Sequence, residues 1–222
     1  MSSKQNDTLI ILYTCRKNQE KARACVSTWG KTADKIIVIT DEKLEIPCGQ
    51  EVIPSIGYKK LCEKTFLMWS LIFKKYKKYH YFIKVDDDTL VFPKNLYKKL
   101  NEKTWDFFGN AKKYFKKDDQ GYPWITGCFY GLSFKALERM MKGVSNAAKR
   151  EEFLSRGSAE DVSVSVLLAQ QGIVASHWEE VVILDGKKKY KEALFNKNIL
   201  SLSSLQPWQM KIMKFAWNSM QK

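Results

Sequence analysis

Tyr81-Phe-Ile-Lys-Val-Asp86-Asp87-Asp88 is an aromatic and β-branched run that ends abruptly in three consecutive carboxylates. Three anions in one short segment repel each other and titrate as a coupled group, so a divalent cation that neutralises them relieves the cost. Hard oxygen ligands suit Mg²⁺ or Mn²⁺, which keep open positions and bridge to phosphate oxygens, so the ligand this stretch predicts is a diphosphate. The alternative is a solvated acidic turn between a strand and the next element, since short carboxylate clusters are common in loops. Position favours the first reading, because ligands of open α/β sheets bind outside the carboxyl ends of the strands, and these carboxylates stand at such an end.

Outward from this strand, apolar β-like runs alternate with helical stretches, the pattern of an α/β sheet with crossover helices. Leu9 to Tyr13 reads as the first strand, Asn18 to Trp29 as a helix closed by Gly30, and Lys35 to Thr40 as the second strand. A Pro- and Gly-punctuated passage follows from Pro47 to Gly57. Lys59 to Tyr76 carries the apolar residues Leu61, Phe66, Trp69 and Phe73 of a helix. Beyond the Asp triplet, Pro93 suits the first turn of a short helix to Leu100, and Trp105 to Gly109 reads as extended. Lys112 to Gln120 is a charged loop with few apolar anchors, expected to move on binding. Pro123 to Gly131 mixes β formers with two glycines, so the backbone is expected to turn or approach something closely at Gly127. Phe134 to Lys142 reads as a helix and, after a polar loop, Ser158-Ala-Glu160-Asp161 opens another that closes near Gly172; Ile173 onward is extended. The expected fold is a single α/β domain over residues 1–222, with a nucleotide-binding half to about residue 110 and a second half from about 111.

The 222 residues, 45% hydrophobic and 13% aromatic, suffice for one substantial core. Met1 to Asp7 is polar, and the run Leu9 to Tyr13 is too short for a signal peptide or a membrane span, so a cytoplasmic protein is expected. Cys15, Cys25, Cys48, Cys62 and Cys128 are odd in number and show no metal-ligand spacing; they read as reduced thiols. A formal net charge of +14 suggests an anionic partner: nucleotide, nucleic acid, acidic glycan or membrane surface. Much of the excess sits in doublets such as Lys74-Lys75 and Lys77-Lys78 and in the triplet Lys187-Lys188-Lys189, which also read as solvated faces and helix ends. The apolar, basic segment Pro207 to Met220 reads either as a terminal helix docked on the domain or as a helix in weak association with a membrane surface.

Four stretches, in order along most of the chain, together resemble the fringe and β-1,3-galactosyltransferase group of sugar-nucleotide-dependent glycosyltransferases. They are Arg23-Ala-Cys-Val-Ser-Thr-Trp-Gly30; Tyr58-Lys-Lys-Leu-Cys-Glu-Lys64-Thr65 with Trp69; Tyr81 to Pro93 with the Asp triplet; and Tyr122-Pro123, Gly127 and Tyr130-Gly-Leu-Ser133 with Glu160-Asp161-Val162. The resemblance implies a GT-A fold, a Rossmann-like, mostly parallel sheet flanked by helices, binding a UDP-sugar through Mn²⁺ or Mg²⁺. It implies Asp88 as the metal ligand on the diphosphate, with Asp86 beside it, and Asp86 or Asp87 on the sugar or ribose. Lys84 belongs with these nucleotide-sugar contacts. By the same likeness Thr14, Cys15 and Arg16, with Arg23, line the uridine pocket, where a cation would meet the diphosphate.

Inverting transfer also needs a base for the acceptor hydroxyl. Asp161 takes that role by resemblance, with Glu160 as the fallback; the alternative is that Ser158 to Asp161 forms a helix capping box. One departure concerns the metal. Similar enzymes carry a late histidine ligand before a proline and a methionine, whereas Leu200 to Met210 here has none. His80 and His177 are the two histidines of the chain; His80 reads as a packed or surface residue, and His177 stands as the substitute candidate. The expected function is therefore a metal-dependent, inverting UDP-sugar glycosyltransferase acting on a glycan or glycoconjugate, with no nucleic-acid partner. Two rivals stay open: a nucleotide- or glycan-binding module without catalysis, and a metal-dependent phosphoryl-transfer enzyme on nucleic acid, which would also use paired carboxylates and a basic surface.

Overall fold

A computed structural model of the chain describes residues 7–112, 123–184, 198–203 and 205. In chain order these form β1 (Thr8–Tyr13), α1 (Gln19–Ser27), β2 (Ile36–Thr40), β3 (Gly49–Val52), α2 (Leu61–Lys75), β4 (Tyr81–Asp86), β5 (Leu90–Val91), α3 (Pro93–Glu102), β6 (Phe107–Lys112) and β7 (Trp124–Ser133). Then come α4 (Phe134–Ser145), α5 (Ala147–Ser155), α6 (Glu160–Ala169), β8 (Ser176–His177), β9 (Val181–Ile183) and β10 (Ser201–Ser203).

Among the described residues seven strands make one sheet in the order β3-β2-β1-β4-β7-β6-β8. β3, β2, β1 and β4 run parallel, β7 is antiparallel to both β4 and β6, and β8 is parallel to β6. The sheet is thus mostly parallel and flanked by helices, a single α/β domain consistent with the GT-A type. Strand β1 is buried along its whole length, as expected where helices cover both faces of a parallel sheet. Its side chains alternate. Ile10 and Leu12 join Trp29, Leu96 and Leu100 in one layer, while Leu9 and Ile11 join Met68, Trp69 and Ile72 of α2 and Leu137 and Met140 of α4 in the other. A smaller sheet, β5-β10-β9, lies beyond the carboxyl end of β4.

The chain builds outward from β1 through β2 to β3, then returns to place β4 on the other side of β1. That reversal makes the β1/β4 boundary a switch point where the following loops diverge and leave a crevice. The register pairs Tyr13 with Asp86, so Thr14 and Asp87 emerge side by side.

Several local features follow from single residues. Pro93 opens α3, Ser133 Oγ accepts the Ala136 N–H at 3.1 Å to cap α4, and Lys74 and Lys75 sit in the last turn of α2 beside its free carbonyls. Gly30 differs from expectation. It lies inside a 3₁₀ turn, Trp29–Thr32, where a Cβ would stand 3.1 Å from the Cys25 carbonyl oxygen. The passage Pro47 to Gly57 contains β3, and the polar loop after α4 contains α5, neither of which the sequence pattern announced. The charged loop Lys112 to Gln120, the Lys187 triplet and the segment Pro207 to Met220 lie outside the described residues or nearly so. No helix among the described residues is long and apolar enough to cross a membrane.

Candidate active site

The crevice at the β1/β4 switch point is a cleft of about 450 Å³. The three carboxylates at its edge have different surroundings. Asp87 is buried; its Oδ2 accepts the Thr14 hydroxyl at 2.6 Å, and the Lys21 ammonium lies 3.9 Å from Oδ1. Burial raises its carboxyl, and the hydrogen bonds from Thr14 and Asn18 oppose that rise. Asp87 therefore ties the turn after β4 to the end of β1. Asp86 Oδ1 accepts the Lys84 ammonium at 2.6 Å. Asp88 is half-buried, and burial followed by the charges of Asp86 and Asp87 pushes its carboxyl up to about 6. No ammonium or guanidinium among the described residues stands within ion-pair distance of it. Its backbone carbonyl accepts the Leu205 N–H at 3.0 Å, tying the turn to the chain beyond β10.

Lys84 is the hub beneath these groups. It is 1% exposed, and its ammonium donates to Asp86, to the Gly127 carbonyl and to Glu160 Oε1 at 3.2 Å. Glu160, 3% exposed, accepts the Tyr130 hydroxyl on its other oxygen at 3.4 Å, and Tyr130 in turn accepts the Trp69 indole N–H at 3.1 Å. Burial opposes the charge on Lys84, yet Asp86 and then Glu160 hold its pKa well above the ordinary value. Glu160 moves the other way from an ion-paired acid, because burial, reinforced by Asp161 and Asp86, lifts it to about 7 despite Lys84. The two shifts are reconciled by distance. Asp86 is the closer partner and already matches the ammonium, so Glu160 is the carboxyl that holds a proton near neutrality.

Asp161 follows Glu160 at the start of α6, and both line the cleft, Glu160 buried and Asp161 partly exposed. Asp161 Oδ2 accepts the Gly127 N–H at 3.0 Å and Oδ1 the Val162 N–H at 2.9 Å. Burial raises its carboxyl and these two N–H groups oppose it. The capping box of Ser158 is not formed, since Ala159 occupies the N-cap position and makes no side-chain cap bond, although Asp161 itself accepts a first-turn N–H. Gly127 makes the close approach that its position suggested. A Cβ there would lie 2.6 Å from Glu160 Oε1, so a side chain at this point of β7 would have to displace the Glu160 carboxyl from its place beside Lys84.

Of the residues singled out from sequence, Thr14, Cys15, Lys84, Asp86, Asp87, Asp88, Glu160 and Asp161 line this one cleft. Three others do not. Arg16 is exposed, with its backbone N–H on Asp41 Oδ1 at 2.6 Å and its guanidinium on Gln19 and the Lys43 carbonyl. Arg23 pairs with Glu20 at 2.9 Å and the Glu45 carbonyl at 3.2 Å, away from the carboxylates. His177 stands exposed on β8, outside the cleft lining, and its Nδ1 accepts the Ala111 N–H at 3.0 Å. Among the described residues the cations that do face the cleft, besides Lys84, are Lys21 and Lys64. Neither has a site role in the sequence reading, although Lys64 stands in one of the four motif stretches and is one of the buried positions of α2, beside Thr65 and Met68, where a lysine is out of place.

Among the described residues no group of three or more His, Cys, Asp or Glu side chains is arranged to hold a metal ion. A Mg²⁺-like ion, however, keeps several waters and takes further ligands from substrate phosphates, so one or two carboxylates suffice. Asp88 and the second oxygen of Asp86 fit that requirement, and the raised Asp88 carboxyl is the group whose repulsion a cation would relieve.

Comparison of the chain with curated proteins gives no match. Residues 56–116 match the family model of the galactosyltransferases, a stretch that holds α2, β4 with all three carboxylates, β5 and α3. This agrees with the β-1,3-galactosyltransferase-like pattern read from the motifs. Residues 56–116 are thus similar to the galactosyltransferase family within an α/β fold consistent with the GT-A type, and the match supports a glycosyltransferase.

Proposed function

We propose that the protein is a metal-dependent, inverting glycosyltransferase that moves a sugar from a UDP-sugar to a hydroxyl of a glycan or glycoconjugate. The observation that carries this reading is the pairing across one cleft of Asp88, after β4, with Asp161, at the start of α6. Among the described residues the lining holds five carboxyl groups against three lysines, so a diphosphate would meet net negative charge there unless a divalent cation came with it. Asp88 and Asp86 would hold that cation, which when bound stabilises the charge on the departing diphosphate.

Asp161 is the base in this reading. It takes the proton of the acceptor hydroxyl; the freed oxygen bonds to the anomeric carbon from the face opposite the nucleotide; and the bond from that carbon to the diphosphate oxygen breaks, its electron pair leaving with UDP. One displacement inverts the anomeric centre. The Gly127 and Val162 N–H groups hold the Asp161 carboxylate in one orientation, and burial raises it toward a working pKa. Glu160, the fallback base, is the more buried of the two carboxyls and is bound to Lys84, which in turn holds Asp86. Thr14 and Cys15, at the end of β1, fall on the side of the cleft where the nucleoside would lie.

The reading treats residues 1–222 as one transferase domain, with nucleotide-sugar contacts in the first half and acceptor contacts in the second, acting in the cytoplasm. It is tested by incubating the protein with a panel of UDP-sugars and Mn²⁺, reading UDP release and the anomeric configuration of any transferred sugar. Metal-dependent UDP release with an inverted product is expected. Release of sugar with retained configuration, or no turnover of any donor, would reject it.

A further inference from the structure

We propose that the Lys64 ammonium is an anion subsite of the cleft that takes a phosphate oxygen of the donor nucleotide. The inference rests on the nucleotide-donor reading above and assigns one side chain within it.

Lys64 is 7% exposed, yet it lines the cleft. Its Nζ donates to the Thr14 carbonyl at 2.7 Å and lies 4.4 Å from the centroid of the Tyr13 ring. Lys84 approaches the same ring at 5.0 Å. The two lysines differ in one respect. Lys84 is matched by Asp86 and Glu160, whereas no carboxylate among the described residues lies within ion-pair distance of Lys64. A carbonyl and a ring face use one N–H and soften the charge, but they do not neutralise it, and a buried charge without a counter-ion is costly. Burial accordingly lowers the pKa of Lys64.

A purely mechanical link between α2 and the end of β1 needs no charge, since a neutral amide could donate to the Thr14 carbonyl equally well. The charge is the unexplained part. It sits at the wall of a cleft beside Thr14, whose hydroxyl holds Asp87, so an anion entering next to the carboxylate edge finds an ammonium with donors still to use. Arg16 and Arg23 point elsewhere, leaving Lys64 and the partly exposed Lys21 as the cations on this side among the described residues.

The experiment is calorimetric titration of the full chain and of Lys64→Gln and Lys64→Arg with UDP, uridine and inorganic pyrophosphate, each with Mn²⁺ and with EDTA. Lys64→Gln keeps a donor for the Thr14 carbonyl and removes the charge. Its affinity for UDP and for pyrophosphate should fall by about ten- to a hundredfold, with uridine unchanged and with most of the loss recovered in Lys64→Arg. Unchanged UDP affinity in Lys64→Gln would overturn the proposal, as would an equal loss for uridine, which would put Lys64 against the base. Should Lys64→Gln fail to fold, reductive dimethylation of the unaltered protein decides the matter. Pyrophosphate should protect Lys64 from labelling and uridine should not; equal labelling with and without pyrophosphate overturns the subsite. An unaltered protein that binds no UDP rejects the nucleotide-donor reading and this inference with it, whereas UDP binding that Lys64→Gln leaves intact rejects this inference alone.

Discussion

The Lys84 ammonium stands 3.2 Å from Glu160 Oε1, joining the strand that ends in the three carboxylates to the helix that begins with Asp161, with both side chains almost wholly enclosed. Removing the cation takes the shared donor from the partly exposed Asp86 and from the Gly127 carbonyl and leaves the buried Glu160 with no counter-charge. Lys84→Met should therefore destabilise the fold by about 3–5 kcal/mol, seen as a lower urea midpoint with an unchanged slope. Combining it with Glu160→Gln, which removes the acid that has lost its counter-charge, should recover part of that loss. A cost below about 1 kcal/mol for Lys84→Met would mean that the joint is wet and the charge dispensable.

Asp161→Asn keeps the shape of the side chain and abolishes its basicity. Transfer should slow by about a hundredfold or more while affinity for UDP changes little. Full turnover in this variant would remove Asp161 from the role of base.

Asp88 sits half-buried beside two like charges with its carboxyl lifted to about 6. Asp88→Asn should stabilise the metal-free protein at pH 7 by about 1–2 kcal/mol, since a neutral amide escapes both burial and repulsion. The same change should erase any rise in thermal midpoint on adding Mn²⁺. A variant that is less stable than the unaltered protein in EDTA would show that the negative charge is a structural requirement of the turn.

Glu160 and Asp88 have ordinary pKa values of 4.5 and 3.8 and are raised to about 7 and about 6 in the fold. Between these limits the folded chain holds protons that the unfolded chain has released. Their stabilising contribution is therefore complete below about pH 4 and is lost as the pH rises through 6 to 7. Urea midpoints measured from pH 5 to pH 7.5 should fall more steeply for the unaltered protein than for Glu160→Gln. Identical slopes would mean that Glu160 is already ionised across this range.

The parts of the site that could be read from the chain are those where one residue type breaks a strong pattern. Tyr81 to Asp86 is an apolar strand that runs into charge, and the β1/β4 register carries that charge to a switch point, so both the sheet and the position of Asp86 to Asp88 could be anticipated. Gly127 sat among β formers, and its close approach to Glu160 is what a side chain would disturb. Elements whose stability comes from context left no such mark. β3 has no buried residue in its span Gly49–Val52, and α5 buries Phe153 alone, so neither shows a periodic apolar face. Lys64 was concealed for the opposite reason. On a helix rich in lysine it resembles a surface residue, and only the packing of α2 against β1 reveals that it faces Tyr13 and Thr14. Arg23, the cation the motif suggested, is drawn instead to Glu20 one turn away, an interaction that i,i+3 spacing offers and that motif matching overlooked. The histidine question has a similar lesson. His177 accepts a backbone N–H across the sheet edge, a partner that linear distance from the Asp triplet gives no means to foresee.

The most direct test of the central claim is calorimetric titration of the purified protein with UDP, with Mn²⁺ and with EDTA, repeated on Asp88→Ala. Binding that needs Mn²⁺ and disappears in Asp88→Ala is the predicted result, because Asp88 has no ammonium or guanidinium of the described residues within ion-pair distance and is the proposed ligand of the shared cation. UDP binding that is the same with and without Mn²⁺ and survives in Asp88→Ala would contradict the metal-dependent account, and no UDP binding under either condition would remove its nucleotide donor altogether.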